Sequence, residues 1–231
     1  MYEYETAPYA HQKEVFEASW KAPCHALFLE MGTGKSKVVI DSLAALWEAQ
    51  EVNTALIVAP KGVFSNWVQQ ELPLHLPKRI PAKIVQWQPN ITKKFREALT
   101  ELADPSHTDL HILVMNVEAL STMKGAASAF KFLKMNPNNM FLMDESTSIK
   151  NRKALRTKNA IKAAGLAKYR RILTGSPITR NPMDLYSQCD FLSPQLLGFK
   201  SFFAYQARYA VVRRRACLLY TSPSPRDRTR S

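Results

Sequence analysis

The sequence predicts an α/β domain with a central, mostly parallel sheet and helices on both faces. Six short apolar runs carry this reading, at residues 25–30, 54–60, 83–87, 109–116, 139–144 and 169–174. Most are apolar on consecutive rather than alternate residues, the pattern of strands covered on both faces. The stretches between them have helical spacing, and strands alternating with helices build doubly wound folds.

Taken in order, the run at 25–30 leads into a glycine-bearing loop at 30–37, EMGTGKSK. A helix is expected at 35–49, then a strand at 54–60 and a helix at 63–72. The strand at 83–87 and the helix at 93–102 follow, then the strand at 109–116 and a long helix at 117–135. The strand at 139–144 ends in Asp144 and Glu145, a helix is expected at 153–164, and the last strand is 169–174. No internal repeat and no long linker interrupts residues 1–200, so 1–212 reads as one lobe.

The character changes at 213–231. This stretch holds six arginines and one acid, and ten of residues 216–231 are Ser, Thr, Pro or Arg. No apolar period runs through it, so a disordered basic tail is expected. It resembles translated adapter sequence more than native protein, and no function is drawn from it.

The chain has 231 residues, 32 Lys and Arg against 19 Asp and Glu, and a net charge of +13. The first 212 residues alone carry +8, which points to polyanionic partners. Cys24, Cys189 and Cys217 form no CxxC pair, so neither a disulfide framework nor a thiolate zinc site is expected. No run is long and apolar enough to span a membrane, and the N-terminus lacks the basic and apolar regions of a secretory signal. The five histidines form no pair at metal-ligand spacing on one helix face.

The loop at 30–37 suits phosphate. Gly32 and Gly34, flanking Thr33 and following Met31, let backbone N–H groups approach an anion closely. The next helix presents its N-terminus. Lys35 can reach the terminal phosphates of a nucleotide, and Ser36 can offer its hydroxyl to Mg²⁺. The pattern is the short G-x-G-K-S form, since Leu29 stands where the longer motif has its first glycine. The acidic partner is expected at the strand end of 139–144. There Asp144 would hold the magnesium through water, and Glu145 would orient or deprotonate an attacking water.

With further segments in the same order, the chain resembles the N-terminal RecA-like lobe of a superfamily 2 helicase-like ATPase. Within that group it most resembles the SWI/SNF-type double-stranded-DNA translocases. The likeness covers roughly residues 5–210. It implies that Gln12, in the YAHQ segment, reads adenine, and that residues 56–72 meet a nucleic-acid backbone. Lys61 and the following helix N-terminus agree with a phosphate contact there, while Trp67 reads as core. Residues 114–120 stand where another family motif falls, but they are generic. Asp144-Glu145-Ser146-Thr147, followed by Ser148-Ile149-Lys150-Asn151, is neither DEAD nor DEAH. Residues 173–192 are the most specific segment, with Thr174, Gly175 and Ser176 implied to couple the phosphate site to DNA contacts.

The implied activity is DNA-dependent ATP hydrolysis, with ATP and Mg²⁺ as cofactors and duplex DNA as partner. The implied setting is the nucleoid of a bacterium or phage-infected host. The family's motor has a second RecA-like lobe that supplies arginines, and this chain is expected to lack it. It should therefore bind Mg·ATP and hydrolyse it slowly. The alternatives are a stand-alone binding module that never hydrolyses ATP, and a lobe of a restriction-type or RNA helicase.

Overall fold

A computed structural model describes residues 2–90, 92–104, 106–194 and 196–210. The tail expected at 213–231, and the lobe boundary at 212, lie outside the described residues.

Six strands form one sheet: β1 (Cys24–Phe28), β2 (Thr54–Ala59), β3 (Ala82–Gln86), β4 (Leu110–Asn116), β5 (Asn139–Met143) and β6 (Tyr169–Thr174). Their order is β1-β6-β5-β2-β4-β3, and every neighbouring pair is parallel. Each strand lies within two residues of its expected place. β1 stops at Phe28 and β5 at Met143, so Leu29, Glu30, Asp144 and Glu145 leave the ladder and are free to build a site.

Burial explains why these runs became strands. Along β2, Ala55, Ile57 and Ala59 enter one core, while Leu56 and Val58 enter the other. β4 and β5 divide the same way, as Ile112 and Val114 against Leu113 and Met115, and Met140 and Leu142 against Phe141 and Met143. One face is covered by α1 (Ala10–Ser19), through Phe16, and α2 (Lys35–Glu48), through Val38 to Leu46. On the same face lies a segment comprising α3 (Phe64–Asn66), a π-turn (Trp67–Glu71) and α4 (Leu72–His75). The opposite face is covered by α5 (Lys93–Leu102), α6 (Met123–Met135), α7 (Leu155–Ala164) and α8 (Met183–Leu192). α9 (Phe202–Tyr209) packs beside α8 through Tyr205 and Tyr186.

The expected helices differ in two places for local reasons. The long helix at 117–135 divides into a 3₁₀ turn (Val117–Ser121) and α6, because the Thr122 hydroxyl accepts the Gly125 N–H at 3.0 Å and starts a new helix. The helix at 63–72 is broken by the π-turn, just ahead of Pro73, which brings no N–H to the ladder. α1 and α9 were not expected as helices.

Arg171 ties α1 to the sheet. It points into the core from β6, 1% exposed, and donates to the carbonyls of Ser19 and Trp20 at 3.1 Å each. Further bonds reach Pro23 and Arg170 at 3.3 and 2.9 Å. Burial lowers its pKa to about 10, so it stays charged at neutral pH and holds the end of α1 as a cation.

His111 is buried in β4 and stacks on His107, ring centroids 3.4 Å apart. Its Nδ1–H donates to the Leu102 carbonyl at 3.0 Å. Burial, and the positive neighbours His107 and Lys83, hold its pKa below the usual histidine value, against the opposing pull of the Leu102 carbonyl and Asp109. Burial also lowers His25 and His75. The unfolded chain therefore takes up protons more readily than the fold. This contribution to stability is complete above the unfolded value, near 6.5, and is lost as pH falls below it toward the folded pKa values. Urea unfolding at pH 7.5 and 5.5 should show a lower midpoint at 5.5, with a smaller difference in a His111→Gln chain.

Candidate functional site

The loop between β1 and α2 turns on two glycines in the left-handed region, Gly32 at φ 80° and Gly34 at φ 78°. Gly34 is the N-cap of α2, so Lys35 and Ser36 occupy the first turn and the free N–H groups of that turn face the loop. Lys35 is buried, and its ammonium donates to the carbonyls of Leu29 and Glu30 at 2.9 and 2.8 Å. The Thr33 hydroxyl donates to the Glu30 carbonyl at 2.7 Å. Met31 projects outward, with its Cγ beside Gly175.

Gln12 is brought to this loop, but both ends of its amide are engaged. Its Nε2 donates to the Thr33 carbonyl at 3.0 Å, and its Oε1 accepts the Tyr9 N–H at 2.9 Å. Reading an adenine edge would require exchanging those partners. His11, next to it, reaches the same carbonyl at 3.0 Å and stacks on the exposed ring of Tyr9.

β6 separates β1 from β5 and carries Thr174 at its end. The Thr174 hydroxyl donates to Glu145 Oε2 at 3.1 Å and accepts the Ser176 N–H at 3.2 Å. Gly175 packs against Met31 and Leu29. Thr174, Gly175 and Ser176 therefore stand between the phosphate loop and the acidic pair. Ser176 is exposed.

Asp144 follows β5, where its N–H bonds the Val58 carbonyl at 2.8 Å. Both carboxylate oxygens are held: Oδ1 accepts the Glu145 N–H and Oδ2 the Trp67 indole N–H, each at 2.9 Å. Burial raises the Asp144 pKa, the two hydrogen bonds oppose that rise, the charge of Glu145 adds to it, and Lys35 lowers it. A cation placed here would likewise favour the ionised form. Glu145 takes a left-handed backbone, φ 45° and ψ 63°, as the N-cap of a 3₁₀ turn (Ser146–Ile149).

The donor set suits magnesium. The ion binds through oxygen, and in nucleotide sites it uses one or two protein groups besides the phosphates. The Ser36 hydroxyl and the Asp144 carboxylate are such groups. Among the described residues no cluster of three or more His, Cys, Asp or Glu could hold an ion by itself, so a metal here would depend on the nucleotide.

Lys61 is exposed at the end of β2, beside β5 but outside the phosphate loop. A second basic feature was not visible in the sequence. A cleft of about 770 Å³ is lined by Lys150, Arg152, Lys153, Arg156 and Arg180, among others. Its one acid, Asp184, already accepts two N–H bonds and the Thr179 hydroxyl. Only the fold joins these cations, because Lys150–Arg156 follow β5 and Arg180 follows β6. Trp67 was legible as core and is buried, but its bond to Asp144 had no sequence signal. Glu71, beside Ser36 and Asp144, was also missed.

Known proteins agree with this geometry. The SNF2-related domain matches residues 11–217. The mouse protein "DNA excision repair protein ERCC-6-like" is 27% identical over 192 residues, covering 80% of this chain and 14% of its own length. An "Uncharacterized ATP-dependent helicase" of Mycoplasma pneumoniae is 32% identical, covering 77% of this chain and 15% of its own length. The yeast "ATP-dependent helicase FUN30" is 28% identical, over 72% and 14%. The chain thus spans about a seventh of these relatives. A solved structure, "Sulfolobus solfataricus SWI2/SNF2 ATPase core in complex with dsDNA", superposes with a TM-score of 0.67 at 22% identity, over 90% of this chain and 40% of that one. It confirms the expected α/β, RecA-like fold. The family match spans nearly all the described residues and takes in the phosphate loop, the acidic pair and Thr174: the chain is a member of the SNF2-related domain family.

Proposed function

We propose that this chain is the ATP-binding lobe of a DNA-dependent ATPase that moves along duplex DNA. One observation carries the reading. The phosphate loop, Thr174 and the Asp144–Glu145 pair lie at the same ends of three adjacent strands, β1, β6 and β5.

The residues divide the work. The turn at Gly32–Gly34 and the first N–H groups of α2 receive the phosphates, and Lys35 supplies charge to them by leaving the Leu29 and Glu30 carbonyls. Ser36 and Asp144 would hold magnesium, which when bound neutralises charge on the phosphates. Glu145 is the group to orient or deprotonate the attacking water. Its carboxylate stays in place because Thr174 donates to it. A charge-stabilising arginine from a second RecA-like lobe would complete the constellation.

DNA as the polyanion is supported by the charge of +8 on residues 1–212, exposed Lys61 and the cleft of Lys150–Arg156 and Arg180. That relatives are named as helicases, and that one solved relative was captured with duplex DNA, adds to it. Such a protein would work at the nucleoid of a bacterium or phage-infected host.

Lys35→Ala should weaken ATP binding by roughly 10–100-fold, the worth of one charged hydrogen bond of about 1.5–3 kcal/mol, measured by calorimetric titration with Mg·ATP. Unchanged affinity would remove the nucleotide reading. Affinity for a duplex oligonucleotide should fall steeply with salt, at a log–log slope of about −0.9 per phosphate contacted. Lys61→Ala should reduce that slope by about one contact, and a flat salt response would remove DNA as the partner.

A further inference from the structure

The π-turn Trp67–Glu71 sits against the two groups assigned to magnesium. Its widened ladder, with the Leu72 N–H bonded to the Trp67 carbonyl, lies just before Pro73. Single π-turns are rare and occur mostly at functional positions. Trp67 is 2% exposed, and its indole N–H reaches Asp144 Oδ2 at 2.9 Å. An indole N–H can only donate, so Trp67 cannot be a ligand. It can only fix the oxygen it touches. Asp144 Oδ1 is fixed independently by the Glu145 N–H at 2.9 Å. Each oxygen keeps lone-pair capacity for a water or a cation. At the other end of the turn, Glu71 is half-buried beside Ser36 and Asp144. Asn66 donates weakly to Glu71 from the preceding turn, at 3.4 Å.

We propose that the π-turn is a positioning element for the magnesium site, in which Trp67 sets the orientation of Asp144 and Glu71 adds its charge beside Ser36. The proposal rests on the nucleotide reading above. Trp67 is a positioning residue, because its donor-only N–H cannot ligate a metal. Groups that orient a metal's ligands typically govern affinity for the metal by 10–100-fold. A tryptophan that merely filled the core would instead act on the whole fold.

The test separates these roles in the 231-residue chain. ATP affinity is measured by calorimetry with excess EDTA and again with excess Mg²⁺, in the unaltered chain and in Trp67→Phe and Glu71→Gln. Trp67→Phe keeps an aromatic ring and loses the N–H. Its metal-free affinity should stay within about twofold, while the strengthening by Mg²⁺ should shrink by about 10-fold. Glu71→Gln should show the same split to a smaller degree. Equal losses with and without Mg²⁺, or no loss in either variant, would overturn the proposal. A second readout needs no variant. In the unaltered chain, the assigned Trp67 indole N–H resonance should shift when Mg²⁺ is added to the ADP-saturated protein, and a stationary resonance would count against the role. If the unaltered chain binds no ATP at all, the nucleotide reading fails first and takes this proposal with it.

Discussion

Everything at the site depends on β6 lying between β1 and β5 in a sheet whose strands all run the same way. Parallel strands deliver their ends to a single edge, so whatever follows each strand meets there. The register pairs Phe28 with Thr174 and Met143 with Ile172. The residue after β5, Asp144, is anchored to β2 through the Val58 carbonyl. The phosphate loop and the acidic pair are far apart in sequence, and Thr174 joins them by standing between their strands. Were β6 not beside β5, Glu145 would lose the hydroxyl that holds it.

The segments after β5 and β6 are also bonded to each other. Ser146 donates to Gln188 at 2.6 Å, and Gln188, fully buried, donates to the carbonyls of Pro177 and Asp184 at 2.7 and 2.8 Å. Lys150 donates to Thr179, which in turn donates to Asp184. Just before this network, Glu145 holds a left-handed conformation that costs a non-glycine residue about 1–3 kcal/mol. The turn at 178–184 contributes Arg180 to the basic cleft, so the segment that follows the acidic pair and the cleft share these hydrogen bonds.

Much of this was legible in the sequence, and the reasons differ by element. The strands were legible because burial on both faces leaves consecutive apolar residues, as in β4, where every residue but the last is buried. The phosphate loop was legible because its chemistry is local: two glycines, a lysine and a serine in one turn. The long-range contacts were not. Nothing in the run at 63–72 marks an indole that bonds a residue 77 positions away, and a single wide turn leaves no period. Nothing in the run at 169–174 marks the role of Arg171, because two of the carbonyls that accept its hydrogen bonds, Ser19 and Trp20, lie at the distant end of α1.

Gln12, implied by its motif to read adenine, also has structural partners at both ends of its amide. Gly34 lies close against Gln12 Nε2, so a side chain there would displace the amide. The amide closes the Thr33 carbonyl from one side, while its oxygen caps α1 through the Tyr9 N–H. α1 is itself fastened to β6 by Arg171. The shape of the phosphate loop is thus set partly by a helix that precedes the sheet. Exchanging the Thr33 carbonyl for a base would leave His11 alone to hold the loop to α1 at that carbonyl. By this geometry, base recognition and loop shape compete for the same amide.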